Sequence, residues 1–218
     1  MTKLRKLAGT VAALGGVLVF GQAHADVITG ELWHVPESVV TFGGTGGSAA
    51  SIPATAADAT FNVNAPLTFW ADNSGASSVA TWLASGSAFN IVENTPGTLA
   101  SLLDGMLNDA AVGTVVHLSG MLSVFNGESF TLTHDDGITL TINGFDVISS
   151  PGPIGTTPTT GVYGGATGTF AFDLYYAECC GGNAVLQGDL ASVPEPDTLG
   201  LLGISLFGVA FGRRRLRK

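Results

Sequence analysis

The stretch Ser129-Phe130-Thr131-Leu132-Thr133-His134-Asp135-Asp136-Gly137-Ile138-Thr139-Leu140-Thr141-Ile142-Asn143-Gly144-Phe145-Asp146-Val147-Ile148 decides the fold. Apolar and polar residues alternate through 129–133 and again through 138–142, the period of a strand with one buried face. His134-Asp135-Asp136-Gly137 reads as a tight turn between the two runs. Asn143-Gly144 follows the second run and supplies the positive φ that a two-residue hairpin requires. Residues 145–148 then begin another strand. Short alternating runs with turn residues between them predict an antiparallel, mainly β fold.

The same pattern extends outward. Residues 114–124 predict a strand, joined to 129–133 by a hairpin turn at Asn126-Gly127. Residues 149–168 form a long Pro/Gly/Thr loop containing Tyr163. Residues 169–176 alternate Phe170, Phe172 and Leu174 with Thr169, Ala171, Asp173 and Tyr175, and 184–190 close the domain. Upstream, 26–35, 60–63 and 66–70 predict short strands. Residues 42–57 are rich in Gly, Ser, Thr and Ala and read as a flexible loop or weak edge element. No G-K-[ST] follows their glycine pairs, so they are not a phosphate loop. Residues 81–92, with Trp82, Phe89 and Ile91, fit either state. Thr95-Pro96-Gly97-Thr98 opens a helix. Leu99, Leu102, Leu103, Met106 and Leu107 then recur at spacings of three and four, which predicts about three amphipathic turns with Asp104 and Asp109 on the wet face.

Both ends carry address signals. Lys3, Arg5 and Lys6, an apolar run over 7–20 and Ala23-His24-Ala25 form a secretory signal peptide, cut between Ala25 and Asp26. At the other end, Pro194-Glu195-Pro196 precedes an apolar run over 199–211 and then Arg213, Arg214, Arg215, Arg217 and Lys218. The prolines hold their segment extended and exposed. As a helix, 198–212 spans only ~22 Å against roughly 30 Å of hydrocarbon, short for a permanent anchor. An ordinary C-terminal anchor is the competing reading. In either case the cations stay cytoplasmic.

All 17 Asp and Glu, and none of the 8 Lys and Arg, lie within residues 26–212. Their formal charge is therefore −17, where the whole chain carries −9. So one-sided a balance excludes nucleic acid as a partner and attracts divalent cations. Residues 26–192 are long enough to bury a core as one domain, with 1–25 the signal peptide and 193–218 the tail.

Two resemblances follow. The tail, with Pro194, Glu195 and Pro196 followed by a Gly/Leu-rich helix and an arginine cluster, closely resembles the PEP-CTERM sorting signal of Gram-negative bacteria. That resemblance implies transient inner-membrane insertion, removal of the helix by an exosortase-type protease, and release to the cell surface or extracellular matrix. Residues 129–190 resemble the PA14 domain, an antiparallel β-sandwich module of secreted toxins, glycosidases and adhesins. The matching pieces are Phe130-Thr131-Leu132, Asp135-Asp136-Gly137, Leu140-x-Ile142-Asn143-Gly144, Phe172-x-Leu174-x-Tyr176-x-Glu178 and Ala184-Val185-Leu186. The expected fold is thus a PA14-like β-sandwich or barrel with one short helix, flanked by the signal peptide and an apolar sorting helix.

In the adhesin branch of PA14 domains two adjacent aspartates ligate calcium, which holds sugar hydroxyls. Asp135 and Asp136 match those positions. Calcium takes six to eight hard oxygens, and Asn143, Asp146, Glu178 and Asn183 are candidate further donors. Tyr163 is a candidate aromatic platform for a sugar. The competing reading is a plain turn, its aspartates bonding backbone amides and Gly137 at positive φ. The two cysteines, Cys179 and Cys180, are neighbours. They form a vicinal disulfide, remain two free thiols, or link to another chain.

Catalytic signals are absent. No Lys or Arg binds an anion, and no Ser-His-Asp grouping stands in a motif. His34, His117 and His134 are surface or packing residues, and adjacent aspartates do not straddle a glycosidic bond. The sequence predicts an exported, non-enzymatic, structural or carbohydrate-associated protein of the surface or exopolysaccharide matrix. The alternative is a calcium-dependent glycan-binding adhesin. A hydrolase would need a second, separated carboxylate.

Overall fold

The computed structural model describes residues 27–41, 45–72, 77–101 and 112–190. The expected signal peptide, its expected Ala25–Asp26 junction and the tail with Pro194, Glu195 and Pro196 lie outside them. Among the described residues no helix is long and apolar enough to cross a membrane.

Among the described residues eleven strands form two antiparallel sheets. They are β1 (Ile28–Pro36), β2 (Ala59–Val63), β3 (Leu67–Ala71), β4 (Phe89–Glu93), β5 (Val112–Val124), β6 (Ser129–His134), β7 (Ile138–Ile142), β8 (Phe145–Ser150), β9 (Thr157–Val162), β10 (Gly168–Glu178) and β11 (Ala184–Gly188). The larger sheet runs β4-β2-β1-β5-β10-β7-β8 and the smaller β3-β11-β6-β9. The spine is the long β5–β10 pairing, in register from Gly168↔Val124 to Glu178↔Thr114. Inward positions alternate with outward ones: Phe172, Leu174 and Tyr176 are buried on one face of β10, as a half-buried strand requires.

A short helix α2 (Val79–Ser85) plugs one side. Ser78 caps it, its hydroxyl accepting from the Thr81 amide at 3.2 Å. Val79, Trp82 and Leu83 face inward. Trp82 stacks on Phe69 of the smaller sheet at 4.2 Å and on Tyr176 of the larger at 5.7 Å. Such pairs are worth about 0.5–1.5 kcal/mol beyond their buried area, and this stack ties the two sheets together directly beneath the candidate site.

Several expectations need correction. The helix expected from Thr95 is turn structure over 95–101, and its remainder, with Asp104 and Asp109, lies outside the described residues. Among the described residues a helix occupies 79–85, where the three buried side chains override the mixed pattern. Asn126-Gly127 is no hairpin. It carries the chain from β5 in one sheet to β6 in the other, with the Asn126 side-chain amide donating to the Gly164 and Gly165 carbonyls. The 149–168 loop contains strand β9, which pairs with β6 as an edge, a place where Pro158 is tolerated. Within the expected 42–57 loop, the described residues 45–57 are not simply loose. Helix α1 (Glu37–Thr41) and a 3₁₀ turn at Ala49–Ser51 bracket a cover in which Val40 and Ala57 join Trp33, Val35, Val115, Ala177 and Cys179 in a second cluster on the outer face of the large sheet.

Candidate functional site

Residues 135–137 form a corner at which the chain passes from β6 in the small sheet to β7 in the large one. Three further segments converge on it. The Asp135 amide donates to the Val185 carbonyl at 3.0 Å, which ties the corner to β11. Asp136 exchanges backbone and side-chain bonds with the 151–156 segment. Its amide donates to the Ile154 carbonyl at 3.1 Å, and its Oδ1 accepts from the Ile154 amide at 3.2 Å. Its Oδ2 accepts from the Cys179 amide at 2.7 Å, at the end of β10. The Thr156 hydroxyl donates to Asp135 Oδ2. The Ala177 amide donates to the Gly137 carbonyl at 2.9 Å, and the Gly47 amide to the Pro151 carbonyl at 2.9 Å.

The left-handed residue of the corner is Asp136, at φ 60°, not Gly137. Asp visits that region more readily than most residues, and here its two oxygens are fixed by distant amides, those of Ile154 and Cys179. Gly137 is required for another reason. A Cβ there would lie 2.2 Å from the Pro151 carbonyl oxygen and 2.8 Å from the Gly47 amide nitrogen. Only a residue without a side chain lets three backbones meet.

Glu178 completes the site. It continues the inward column Phe172, Leu174, Tyr176 of β10, so the strand period places a carboxylate on the core face. Glu178 is fully buried, and Asp135 and Asp136 are 8% and 6% exposed. One carboxylate oxygen from each of the three lies within 4.8 Å of the others. The Tyr176 hydroxyl donates to Glu178 Oε2 at 2.5 Å. Burial, reinforced by the Glu178 charge and hydrogen bond, holds the Tyr176 phenol well above its usual range. His134 is buried behind the corner, its ring nitrogens 2.5 Å from the Asp136 carbonyl and 2.7 Å from the Thr159 hydroxyl. Burial lowers its pKa, against the opposing pull of the Asp136 carbonyl and the Asp135 charge. The imidazole is therefore held neutral and supplies no cation.

The other candidates divide. Asn143 sits in the turn at the far end of the β7–β8 hairpin, and Asp146 pairs with Thr141 near that end. Five residues of extended chain separate Asn143 from Ile138, about 17 Å, so neither joins the corner. Asn183 is exposed on the loop that passes Asp135. Tyr163 is no platform. It is fully buried beside Phe145 and Phe170, and it bonds the β5–β6 turn at the opposite end of the sandwich. Cys179 and Cys180 are joined by a disulfide with Cα atoms 3.8 Å apart. Glu178 was one of several candidate donors in sequence. Its place in the alternation Phe172-x-Leu174-x-Tyr176-x-Glu178, where an apolar residue belongs, is the signal that singles it out.

With this geometry in view, residues 192–215 match the model of the PEP-CTERM protein-sorting motif. The chain carries a PEP-CTERM sorting tail. Such a tail marks an exported protein that is held transiently in the membrane. No curated protein matches the chain. Similar solved structures include the PA14 sugar-binding domain from an RTX adhesin, at 20% identity over 74% of this chain and 87% of that one, TM-score 0.47. The PA14 domain of an antifreeze protein is similar at 18% identity over 74% and 79%, TM-score 0.48. A β-glucosidase from Kluyveromyces marxianus is similar over 39% of this chain and 11% of its own length, at 17% identity and TM-score 0.29.

Proposed function

We propose that this PEP-CTERM protein is a non-enzymatic structural or carbohydrate-associated component of the outer surface or exopolysaccharide matrix, its β-sandwich stapled at one end by a bound calcium ion. Residues 26–192 are the working domain. The signal peptide directs export, and an exosortase-type protease acts at the tail beside Pro194, Glu195 and Pro196. The observation that carries the reading is the convergence of Asp135, Asp136 and Glu178, all buried and within 4.8 Å of one another, in a stretch without a single Lys or Arg.

Three buried carboxylates repel one another and lose solvation. The amides of Ile154 and Cys179 and the hydroxyls of Thr156 and Tyr176 offset part of that cost, and a bound cation would offset more. All three offer hard oxygens. Ligand distances of about 2.3–2.6 Å allow oxygens on one calcium ion to stand up to roughly 5 Å apart, which accommodates the 4.8 Å span. The ion would supply the missing positive charge. In doing so it would hold together the β6–β7 corner, the 151–156 segment and the β10–β11 connection. Burial of the carboxylates favours a structural ion over one that offers its open coordination positions to a sugar, so the glycan-binding adhesin is the second reading.

Thermal unfolding of the detergent-solubilised full chain in calcium and in EDTA tests this. An ion bound only by the folded state at a hundredfold over its Kd adds about 2.7 kcal/mol. The expected result is a rise in Tm with calcium that Asp135→Asn or Asp136→Asn removes. A rise that survives both substitutions would mean general screening of the acidic surface and would overturn the reading. Should calcium stabilise the chain and a polysaccharide then raise Tm further, the adhesin reading takes over.

A further inference from the structure

Asp136 faces a second set of donors besides Asp135 and Glu178. One of its carboxylate oxygens and the sulfurs of Cys179 and Cys180 lie within 4.8 Å of one another. The Cys179 amide already fixes that carboxylate at 2.7 Å. Cys179 is buried in the outer-face cluster, whereas Cys180 is exposed and opens onto Gly181 and Gly182. A reductant in solution can therefore reach one sulfur of the pair without unfolding the sandwich.

We propose that Asp136, Cys179 and Cys180 form a redox-gated site for a thiophilic divalent cation of the zinc or cadmium class. In the oxidised chain the Sγ–Sγ bond keeps the site closed. A dithiol-class reductant opens it. The reductant's two thiols deliver two electrons and two protons, the Sγ–Sγ bond breaks, both cysteines become thiols, and the reductant closes to its own disulfide. The cation then displaces the two thiol protons to solvent and binds two thiolates and the Asp136 carboxylate, with water in the fourth position. Ligand bonds of roughly 2.0–2.3 Å in tetrahedral geometry place donors about 3.4–3.8 Å apart, inside the span the three residues already occupy. Soft thiolates select a different ion from the three-carboxylate cluster, which offers only oxygen. Because Asp136 belongs to both sets, filling one removes a ligand from the other. That last coupling rests on the calcium reading. The soft site does not.

The test uses the detergent-solubilised full chain in calcium-free buffer, reduced with a water-soluble phosphine and titrated with cadmium. The phosphine takes its oxygen from water, whose protons end on the two sulfurs. The expected result is a saturable ultraviolet thiolate-to-cadmium band in the reduced chain only. Cys180→Ser should abolish it, and Asp136→Asn should weaken the affinity at least tenfold. X-ray absorption at the cadmium edge reads the ligand shell without any substitution, with sulfur and oxygen together expected. No saturable band in a reduced chain that keeps its circular dichroism would overturn the proposal. So would a sulfur-only shell, undiminished affinity in a folded Asp136→Asn, or unfolding of the chain on reduction. Since no calcium is present, failure of the calcium reading leaves these outcomes unchanged.

Discussion

The two turns that flank β7 are built from nearly the same residues and do opposite jobs. At one end Asn143-Gly144 makes a two-residue hairpin, with φ of 51° and 77° and nothing within 4 Å of a Cβ built on Gly144. At the other end Asp136 also takes a left-handed φ, yet its neighbour Gly137 is pressed between Pro151 and Gly47. The first turn answers only to its own hairpin. The second is a junction of four segments, and its side chains face inward beside Glu178. Turn chemistry alone therefore does not make a site. Convergence of distant backbone around the turn does.

Adding a methyl group to each glycine should separate the two ends most sharply. Gly137→Ala forces backbone against backbone, and a loss of about 3 kcal/mol or more in denaturant unfolding is expected. Equal losses at Gly137 and Gly144 would mean that the corner relaxes as freely as the hairpin.

Glu178→Gln sharpens the comparison through a change of sign. In EDTA it removes one of three mutually repelling buried charges, and Tm should hold or rise. In calcium it removes a ligand, and most of the ion's stabilisation should vanish. A fall of equal size in both buffers would assign Glu178 to packing alone.

Acid should act on the corner before it acts on the hairpin. The pKa of His134 is lowered in the folded protein, so its contribution is present above the unfolded value near 6.5 and is lost as pH falls through the folded value. With calcium chelated, stability should decline below pH of about 6.5, and amide exchange should rise first at Asp136 and Ile154. A flat profile down to the carboxylate range would contradict the assignment of a neutral buried imidazole.

Gly144→Ala, by contrast, places Ala at positive φ in open space and should cost only about 1–2 kcal/mol. Smallest of all, Asp146→Asn at the exposed hairpin end should move Tm within the noise, about 0.5 kcal/mol or less, and should leave any calcium shift intact. A calcium shift lost in Asp146→Asn would place an ion at the wrong end of β7.

Much of this arrangement is legible in the sequence because the strand period is strict. The runs at 129–133, 138–142 and 169–176 lie inside strands, and Asn143-Gly144 turns as its residues demand. The pairing partners were less legible. Nothing local tells that Asn126-Gly127 crosses between sheets while Asn143-Gly144 does not, because that depends on which strands find one another across the barrel of contacts. Strand β9 was hidden by Pro158 and Gly161, residues an edge tolerates and a propensity reading penalises. The start of the helix expected from Thr95 is turn structure, while the mixed pattern over 81–92 conceals a helix whose Val79, Trp82 and Leu83 gain by burial between the sheets. At the site, adjacent aspartates were visible at once. Glu178 is legible as a carboxylate where the alternation of 172–178 calls for an apolar residue, but the separation of 136 and 178 along the chain conceals their proximity in space.

Terbium luminescence tests the central claim most directly. Terbium takes calcium's oxygen ligands and emits when a nearby aromatic ring transfers energy to it, and Tyr176 is hydrogen-bonded to Glu178. The account predicts sensitised emission that calcium quenches competitively and that either Asp136→Asn or Glu178→Gln abolishes. Emission undiminished in both folded variants, or none at all from the wild-type chain, would contradict it.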